Sequence, residues 1–274
     1  MQTVSVELAD RTYPIYIGSN IFPTAGELCE NHSTPKRLAV VADHKVARLY
    51  FSQLNDTLRD HGFETDLIVI SRGERQKSLT RAKAIYELLL KREFNRSSGI
   101  IALGGGVVGD LAGYVAATFR RGIPYVQIPT TLLGQIESAI GGKVGVNHGS
   151  KKNAVGAFYQ PTFVCSDVNL LLTLPSREII CGLGELLKYA YLDETLFSLI
   201  SEHLDRLMNK DLDVLQEIIP ACNRVKARMI SEDERESIPA GGRMVLNLGH
   251  TIGQALEVLS NYKLRHGEAV LVGL

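Results

Sequence analysis

No sign of charge dominates this chain: thirty lysines and arginines balance thirty aspartates and glutamates over 274 residues. A protein without an overall field has no general means of recruiting nucleic acid or an anionic membrane, so any anionic ligand must be met by local groups. Cysteine is scarce, and Cys29, Cys165, Cys181 and Cys222 are widely spread with no Cys-x-x-Cys pair. That argues against a disulfide framework or a thiolate zinc site and fits reduced thiols. No apolar run approaches the roughly 20 residues a membrane span needs. The first residues, Met1-Gln2-Thr3-Val4-Ser5-Val6, alternate like a strand where a signal peptide would carry a long apolar segment. Repeats and low-complexity tracts are also missing. A cytoplasmic location is the expectation. What is present is an ordinary globular composition, 45% hydrophobic and 22% charged, long enough for two packed domains or one large one.

The order of patterns is α/β. Thr3 to Leu8 and Tyr13 to Ile17 read as a hairpin around Ala9-Asp10-Arg11-Thr12, and Ile21 to Glu30 as a helix. Arg37 to Asp43 is a continuous apolar run ending in an acid, the pattern of a parallel strand with Asp43 at the carboxyl end, where ligands of open parallel sheets sit. Helical periodicity from Val46 to Leu58, a strand at Glu64 to Ile70, a Gly-containing loop with Glu74 and Lys77, and a helix over Leu79 to Lys91 continue the alternation. Tyr125 to Pro129 reads as another strand, followed by a helix from Thr130-Thr131 through Ile140 that Gly141-Gly142-Lys143 ends. His148-Gly149-Ser150-Lys151-Lys152-Asn153 reads as a loop. From Pro175 the character changes: Arg177 to Tyr191, Thr195 to Met208, Leu212 to Ile230 and Thr251 to Leu259 are helical by pattern. The expected fold is thus a Rossmann-like α/β domain over 1–174 followed by a mainly helical domain over 175–274.

The centre of the first domain is Leu103-Gly104-Gly105-Gly106-Val107-Val108-Gly109-Asp110, between a buried strand at Ser98 to Leu103 and a helix at Leu111 to Phe119. Gly104, Gly106 and Gly109 satisfy Gly-x-Gly-x-x-Gly. Glycines at a strand-to-helix turn let the backbone approach a pyrophosphate, and the free N–H groups of the helix start form an anion site. A tight turn that merely packs helix on strand would read the same way. The acid expected about 20 residues on, for the ribose, is missing; the first after Asp110 is Glu137. Further on, Arg120, Arg121, Lys143, Lys151 and Lys152 crowd one stretch of a neutral chain, which suggests a phosphate or carboxylate pocket.

In the second domain Glu185, His250 and His266 stand out as potential metal ligands. Two histidines and a carboxylate suit a catalytic zinc with an open position. Their separations match no compact metal motif, and on spacing alone helix-capping or hydrogen-bonded histidines are the favoured reading.

Together these segments resemble the 3-dehydroquinate synthase family over nearly the whole chain. The resemblance rests on Gly104 to Asp110, Ala116-Ala117-Thr118-Phe119-Arg120-Arg121-Gly122, Ile128-Pro129-Thr130-Thr131-Leu132-Leu133, Gly141-Gly142-Lys143, Lys152-Asn153, Ser231-Glu232-Asp233-Glu234-Arg235-Glu236, Asn247-Leu248-Gly249-His250 and His266-Gly267-Glu268. It implies a NAD-binding α/β domain, a helical metal-binding domain, an active site in the cleft between them, and a homodimer. It implies zinc, or alternatively cobalt, on Glu185, His250 and His266. NAD would be held by Asp43, Glu74, Lys77, Gly105, Gly106, Asp110, Thr130, Thr131, Lys143, Lys152, Thr173 and Glu178, with Asp43 taking the adenosine ribose. Lys143, Lys152, Asn153, Lys188, Lys226, Arg243 and Asn247 fall on catalytic, substrate-binding positions; phosphate and carboxylate would be met by Arg121, Lys152, Asn153 and Arg243. The implied reaction converts 3-deoxy-arabino-heptulosonate 7-phosphate to 3-dehydroquinate and phosphate: NAD transiently oxidises a secondary alcohol, phosphate is eliminated, the ketone is reduced back and a carbocycle closes.

The sequence departs from the family pattern in places. Gln254 stands where the family commonly has a second histidine, Glu137 replaces an aspartate, Ala139 a serine, and Ile238-Pro239-Ala240-Gly241-Gly242 lengthens the link to Arg243. Two further readings follow: a related cyclase acting on sedoheptulose 7-phosphate, against which Lys226, Arg243 and Asn247 argue, and an inactive NAD-binding remnant. Family members continue for several helices beyond the position of Leu274, so the sequence reads as a fragment. Its apolar end, Ala269 to Leu274, is expected to be buried or else to leave an apolar patch, with His266 loosely held.

Overall fold

The computed structural model describes residues 1–9, 11–149, 151–238 and 241–274; Asp10, Ser150, Pro239 and Ala240, and the readings that fall on them, lie outside it. In chain order the elements are β1 (Gln2–Glu7), β2 (Thr12–Gly18), α1 (Ala25–Asn31), β3 (Arg37–Asp43), α2 (His44–Asp60), β4 (Glu64–Ile70), α3 (Leu79–Lys91), β5 (Ser98–Gly104), α4 (Gly106–Thr118), β6 (Tyr125–Pro129), β7 (Lys143–His148), β8 (Lys151–Phe158), β9 (Val164–Asp167), α5 (Ser176–Ala190), α6 (Glu194–Met208), α7 (Leu212–Glu232), α8 (His250–Leu259) and α9 (His266–Gly273).

Seven strands form one sheet in the order β1-β2-β9-β6-β5-β3-β4. β1 and β2 pair antiparallel, and the other neighbours run parallel. From β3 the chain moves outward to β4, then returns to lay β5 on the other side of β3, so the winding reverses between β3 and β5. In open α/β sheets such a reversal leaves a crevice at the carboxyl ends of the two strands. Those ends are Asp43 and Gly104.

β3 shows why the sheet needs cover on both faces. Its Ala39 and Val41 pack with Ile85, Leu89 and Leu111 of α3 and α4, while Leu38, Val40 and Ala42 pack with Leu54 and Leu58 of α2. Alternate residues of one strand thus feed two cores. A third core joins β1 and β2 to the helical layer: Val4, Val6, Ile15 and Ile17 pack with residues of α5, α6 and α7, including Ile179, Ile200 and Ile218.

Two sequence readings are corrected. The stretch after Thr130-Thr131 is no regular α-helix, since Gly134–Ser138 forms a π-helical turn. Thr131 Oγ1 accepts from the Gly134 amide at 3.0 Å, and the buried Gln135 side chain donates to Pro129 O and Asp167 O at 3.1 and 2.8 Å, so side chains fix a local widening that periodicity does not encode. Lys151, Lys152 and Asn153 belong to strand β8, which forms a hairpin with β7; Lys151 pairs with His148, and the register shifts beside it. That hairpin closes tightly because a Cβ at Gly156 would meet Val144 O at 2.3 Å, and it seats on α4 because a Cβ at Gly113 would meet Val144 Cγ1 at 2.4 Å. The segment Ala269 to Leu274 follows the second of its two expectations in part: Ala269 and Val270 are buried, but Leu271 and Val272 are 39% and 64% exposed. As a helix, α9 turns one face inward and the other out.

Candidate active site

The carboxyl ends of the parallel strands and the helices α5, α7, α8 and α9 enclose a cavity of about 1020 Å³. Asp43, Glu74, Lys77, Gly105, Gly106, Asp110, Thr130 and Thr131 line its sheet side, Lys143, Lys152 and Asn153 reach it from the hairpin, and Thr173 and Glu178 stand at the seam. Lys226, Arg243, Asn247, His250, Gln254, Glu257 and His266 line the helical side. Glu185 and Lys188 lie beneath the helical wall with 0% exposure. Arg121 is absent from the lining. It sits just beyond the far end of the 13-residue α4, about 18 Å along the helix from the cavity at 1.5 Å per residue.

On the sheet side the glycine turn leaves room where a side chain would close it. A Cβ on Gly105 would come within 2.9 Å of Thr131 Cγ2, and one on Gly106 within 2.9 Å of Ser138 Oγ. Gly105 caps α4 without a side chain, so the first amides of that helix remain available to an anion. Asp43 caps α2, its Oδ1 accepting from Lys45 N and Val46 N at 2.8 and 3.2 Å; only its second oxygen is left for a ligand. Lys77 Nζ lies 2.7 Å from Asp110 Oδ2 and 3.6 Å from Glu74 Oε1. Burial works against its charge, but the two carboxylates outweigh burial and hold the ammonium above its ordinary value.

On the helical side the structure brings ligand atoms of Glu185, His250 and His266 within 4.8 Å of one another. Glycines make this possible. Glu185 follows Gly184, where a Cβ would meet Gly267 O at 2.0 Å; His266 precedes Gly267, where it would meet Cys181 O at 1.6 Å; His250 follows Gly249, where it would meet Val270 O at 2.9 Å. Each ligand thus stands beside a point where two backbones touch.

The donor set fits a divalent metal. Both carboxylate oxygens of Glu185 are buried without a hydrogen bond of good geometry, and Oε1 faces Nε2 of His266 and His250 at 3.3 and 3.6 Å. The other ring nitrogens are engaged, His250 Nδ1 with Leu248 O at 3.1 Å and His266 Nδ1 with Glu257 Oε2 at 3.0 Å, the arrangement that orients metal-binding imidazoles. Burial lowers the His250 pKa and favours the neutral ring. For His266 burial acts in the same direction, but Glu185 and Glu257 overcome it and raise the ring to about 9.

A buried charge cluster supports the floor. Glu137 Oε1 lies 2.7 Å from Lys226 Nζ, and its Oε2 lies 3.3 Å from Lys188 Nζ and accepts from Tyr189 OH. Burial disfavours the carboxylate, yet the two lysines hold it well below its ordinary value. Lys226 also donates to Glu137 O at 2.6 Å; burial outweighs its partner and lowers it to about 8. Arg243, 2% exposed, donates to Glu234 O at 2.6 Å and Gly141 O at 2.8 Å. Glu236 accepts from both Lys143 and Asn247.

Sequence reasoning passed over Glu236, Glu257 and Tyr189, and noted Glu137 only as a departure. Glu257 carried a signal: at seven residues after His250 it shares that residue's helix face. Glu236 closes one of the segments that carry the family resemblance. Tyr189 carried none.

Fold and site define a class: an α/β enzyme whose glycine turn faces, across one cavity, a His₂-carboxylate centre on a helical layer. Family models described as 3-dehydroquinate synthase N-terminal and 3-dehydroquinate synthase C-terminal match residues 67–181 and 182–274. The 3-dehydroquinate synthase of Desulforamulus reducens is 45% identical over 100% of this chain and 76% of its own length. Among solved structures, ValA, a 2-epi-5-epi-valiolone synthase of Streptomyces hygroscopicus with NAD+ and Zn2+ bound, aligns with a TM-score of 0.89 at 28% identity, covering 97% of this chain and 74% of its own. A 2-deoxy-scyllo-inosose synthase complexed with carbaglucose-6-phosphate, NAD+ and Co2+ gives 0.88 at 27% identity, covering 99% and 73%. The chain belongs to the 3-dehydroquinate synthase family.

Proposed function

We propose that this chain converts 3-deoxy-arabino-heptulosonate 7-phosphate to 3-dehydroquinate and phosphate, with NAD bound at the glycine turn and zinc or cobalt held by Glu185, His250 and His266. The observation that carries this reading is the meeting, in one cavity, of an uncapped helix start at Gly105-Gly106 and a buried His₂-carboxylate set. When bound, NAD supplies reversible hydride transfer and the metal supplies Lewis acidity at a substrate oxygen.

The chain's own residues do the rest. Asp43, at the end of β3, offers its free carboxylate oxygen to the adenosine ribose, while Lys77, locked between Asp110 and Glu74, shapes the wall beside the pyrophosphate. Lys152 and Asn153 on β8 and Arg243 on the helical side bring donors to the substrate phosphate and carboxylate. Lys143, Lys226 and Asn247 face substrate hydroxyls, and each is tethered to an acid, Glu236 or Glu137, that fixes it before substrate arrives. Lys188 acts from beneath by neutralising Glu185 and Glu137. The residues work as a cytoplasmic homodimer in this reading.

Phosphate release measured on 3-deoxy-arabino-heptulosonate 7-phosphate and on sedoheptulose 7-phosphate tests the assignment. Turnover of the first alone is the expected result. Turnover of the second alone reassigns the substrate, and turnover of neither by NAD- and zinc-loaded protein overturns the reading.

A further inference from the structure

Glu257 joins two parts of the site that the roles above treat separately. It is 3% exposed, and its two oxygens serve different partners: Oε2 faces His266 Nδ1 at 3.0 Å, and Oε1 accepts from Lys152 Nζ at 2.7 Å. His266 is a metal-ligand candidate carried by α9. Lys152 is an anion-binding candidate carried by the hairpin. Lys152 is itself 9% exposed at its side chain, with Glu74 Oε1 its next carboxylate at 3.9 Å. One carboxylate therefore divides its negative charge between an imidazole of the metal centre and an ammonium that points toward the phosphate region.

We propose that Glu257 is a positioning residue that couples the two, so that a phosphoryl group taken by Lys152 tightens metal binding at Glu185, His250 and His266. The inference rests on the metal and anion roles proposed above. A ligand imidazole becomes a better donor when the acceptor of its other N–H is more basic. With the site empty of anion, Lys152 withdraws charge from Glu257 and weakens that push. A phosphoryl oxygen that draws Lys152 Nζ to itself returns the charge to the Glu257–His266 bond. Linkage makes the effect mutual: metal must tighten phosphate by the same factor. The phosphoryl group can come from a free phosphate ester or from the dinucleotide pyrophosphate, and the two sources are tested apart.

The experiment titrates the full chain with zinc against a chromophoric chelator, alone, with inorganic phosphate, and with NAD. Phosphate, NAD or both should tighten zinc by about 5-fold or more, the usual lower range of coupling between sites. In Glu257→Gln, which is isosteric and can still accept from His266, zinc should bind about 10- to 100-fold more weakly, and the anions should change it less than 2-fold. In Lys152→Met, zinc without anion should bind as tightly as in the anion-loaded parent, and the tightening should vanish in the double variant with Glu257→Gln. If Glu257→Gln does not fold, Lys152→Met delivers the test from the other end. Coupling that persists in Glu257→Gln, or zinc binding indifferent to both anions, overturns this inference alone. A chain that binds no zinc under any condition overturns the metal reading with it.

Discussion

Lys226 lines the cavity with only 3% of its surface exposed, and Glu137, 2.7 Å away, is the carboxylate that answers its charge. Because burial lowers it to about 8, it holds its proton below that pH and loses it above. Any affinity it lends to an anionic substrate is therefore full in acid and fades as pH rises through about 8. We expect kcat/KM to fall on that limb, and the limb to disappear in Lys226→Arg, whose guanidinium stays charged; the same limb in the variant would assign it to another group. Asp43 makes a second prediction. Asn at that position keeps an oxygen for the α2 cap but removes the charge that would repel a 2′-phosphate. Asp43→Asn should narrow a preference for NAD over NADP by roughly 10-fold, about 1.4 kcal/mol, without a change in melting temperature. Unaltered discrimination in a binding titration would remove Asp43 from the ribose site.

At the scale of elements, α5, α8 and α9 meet where glycines let backbone approach backbone. A methyl at Gly184 points at the Gly267 carbonyl, backbone that cannot rotate away. Gly184→Ala should push α5 from α9, cost about 1–3 kcal/mol as overpacking does, and weaken metal binding although every ligand remains. Normal zinc content and an unshifted melting curve would show that the helices tolerate separation. This level also marks what the sequence could disclose. β3 and β5 were legible because both are apolar runs buried on two faces, and the glycine turn because its spacing has a mechanical reason. The π-helical turn was not legible, since Gln135 and Thr131 create it through contacts with Pro129 and Asp167 that no period announces. The hairpin was hidden for a like cause: β8 alternates exposed and half-buried residues, so Lys151 and Lys152 look like loop charges. Glu185, His250 and His266 were legible as residue types, but their convergence depends on long-range helix contacts.

At the scale of the whole molecule, two features were beyond reach of local patterns. The third core unites β1 and β2 with α5 to α7, so the division suggested near residue 174 separates strands from helices without separating their packing. Arg121 is the other. Family resemblance places it at the substrate, yet it stands exposed beyond α4 with φ at 70° in the left-handed region, outside the cavity of its own chain. In a homodimer it can serve only by reaching the second subunit's cavity. Mixing an Arg121→Ala chain with a chain inactivated by His266→Ala should then restore no more than one working site per mixed dimer, formed where intact Arg121 meets intact His266. No recovery over the two separate variants would remove Arg121 from substrate binding.

The backbone contacts beside Glu185, His250 and His266 bear finally on the order in which the molecule is made. The three ligands come from α5, α8 and α9: His250 and His266 lie on consecutive helices joined by the short link 260–265, with ring centroids 5.1 Å apart, while Glu185 comes from α5, far earlier in the chain. Their geometry exists only after three helices have docked at distances that leave no space for a methyl group. Before α5 docks, a folding chain has only the histidine pair of α8 and α9 to offer, without the carboxylate. Metal uptake during refolding should follow the slowest phase seen by any other probe, which makes capture of the ion a timer for completion of the helical layer.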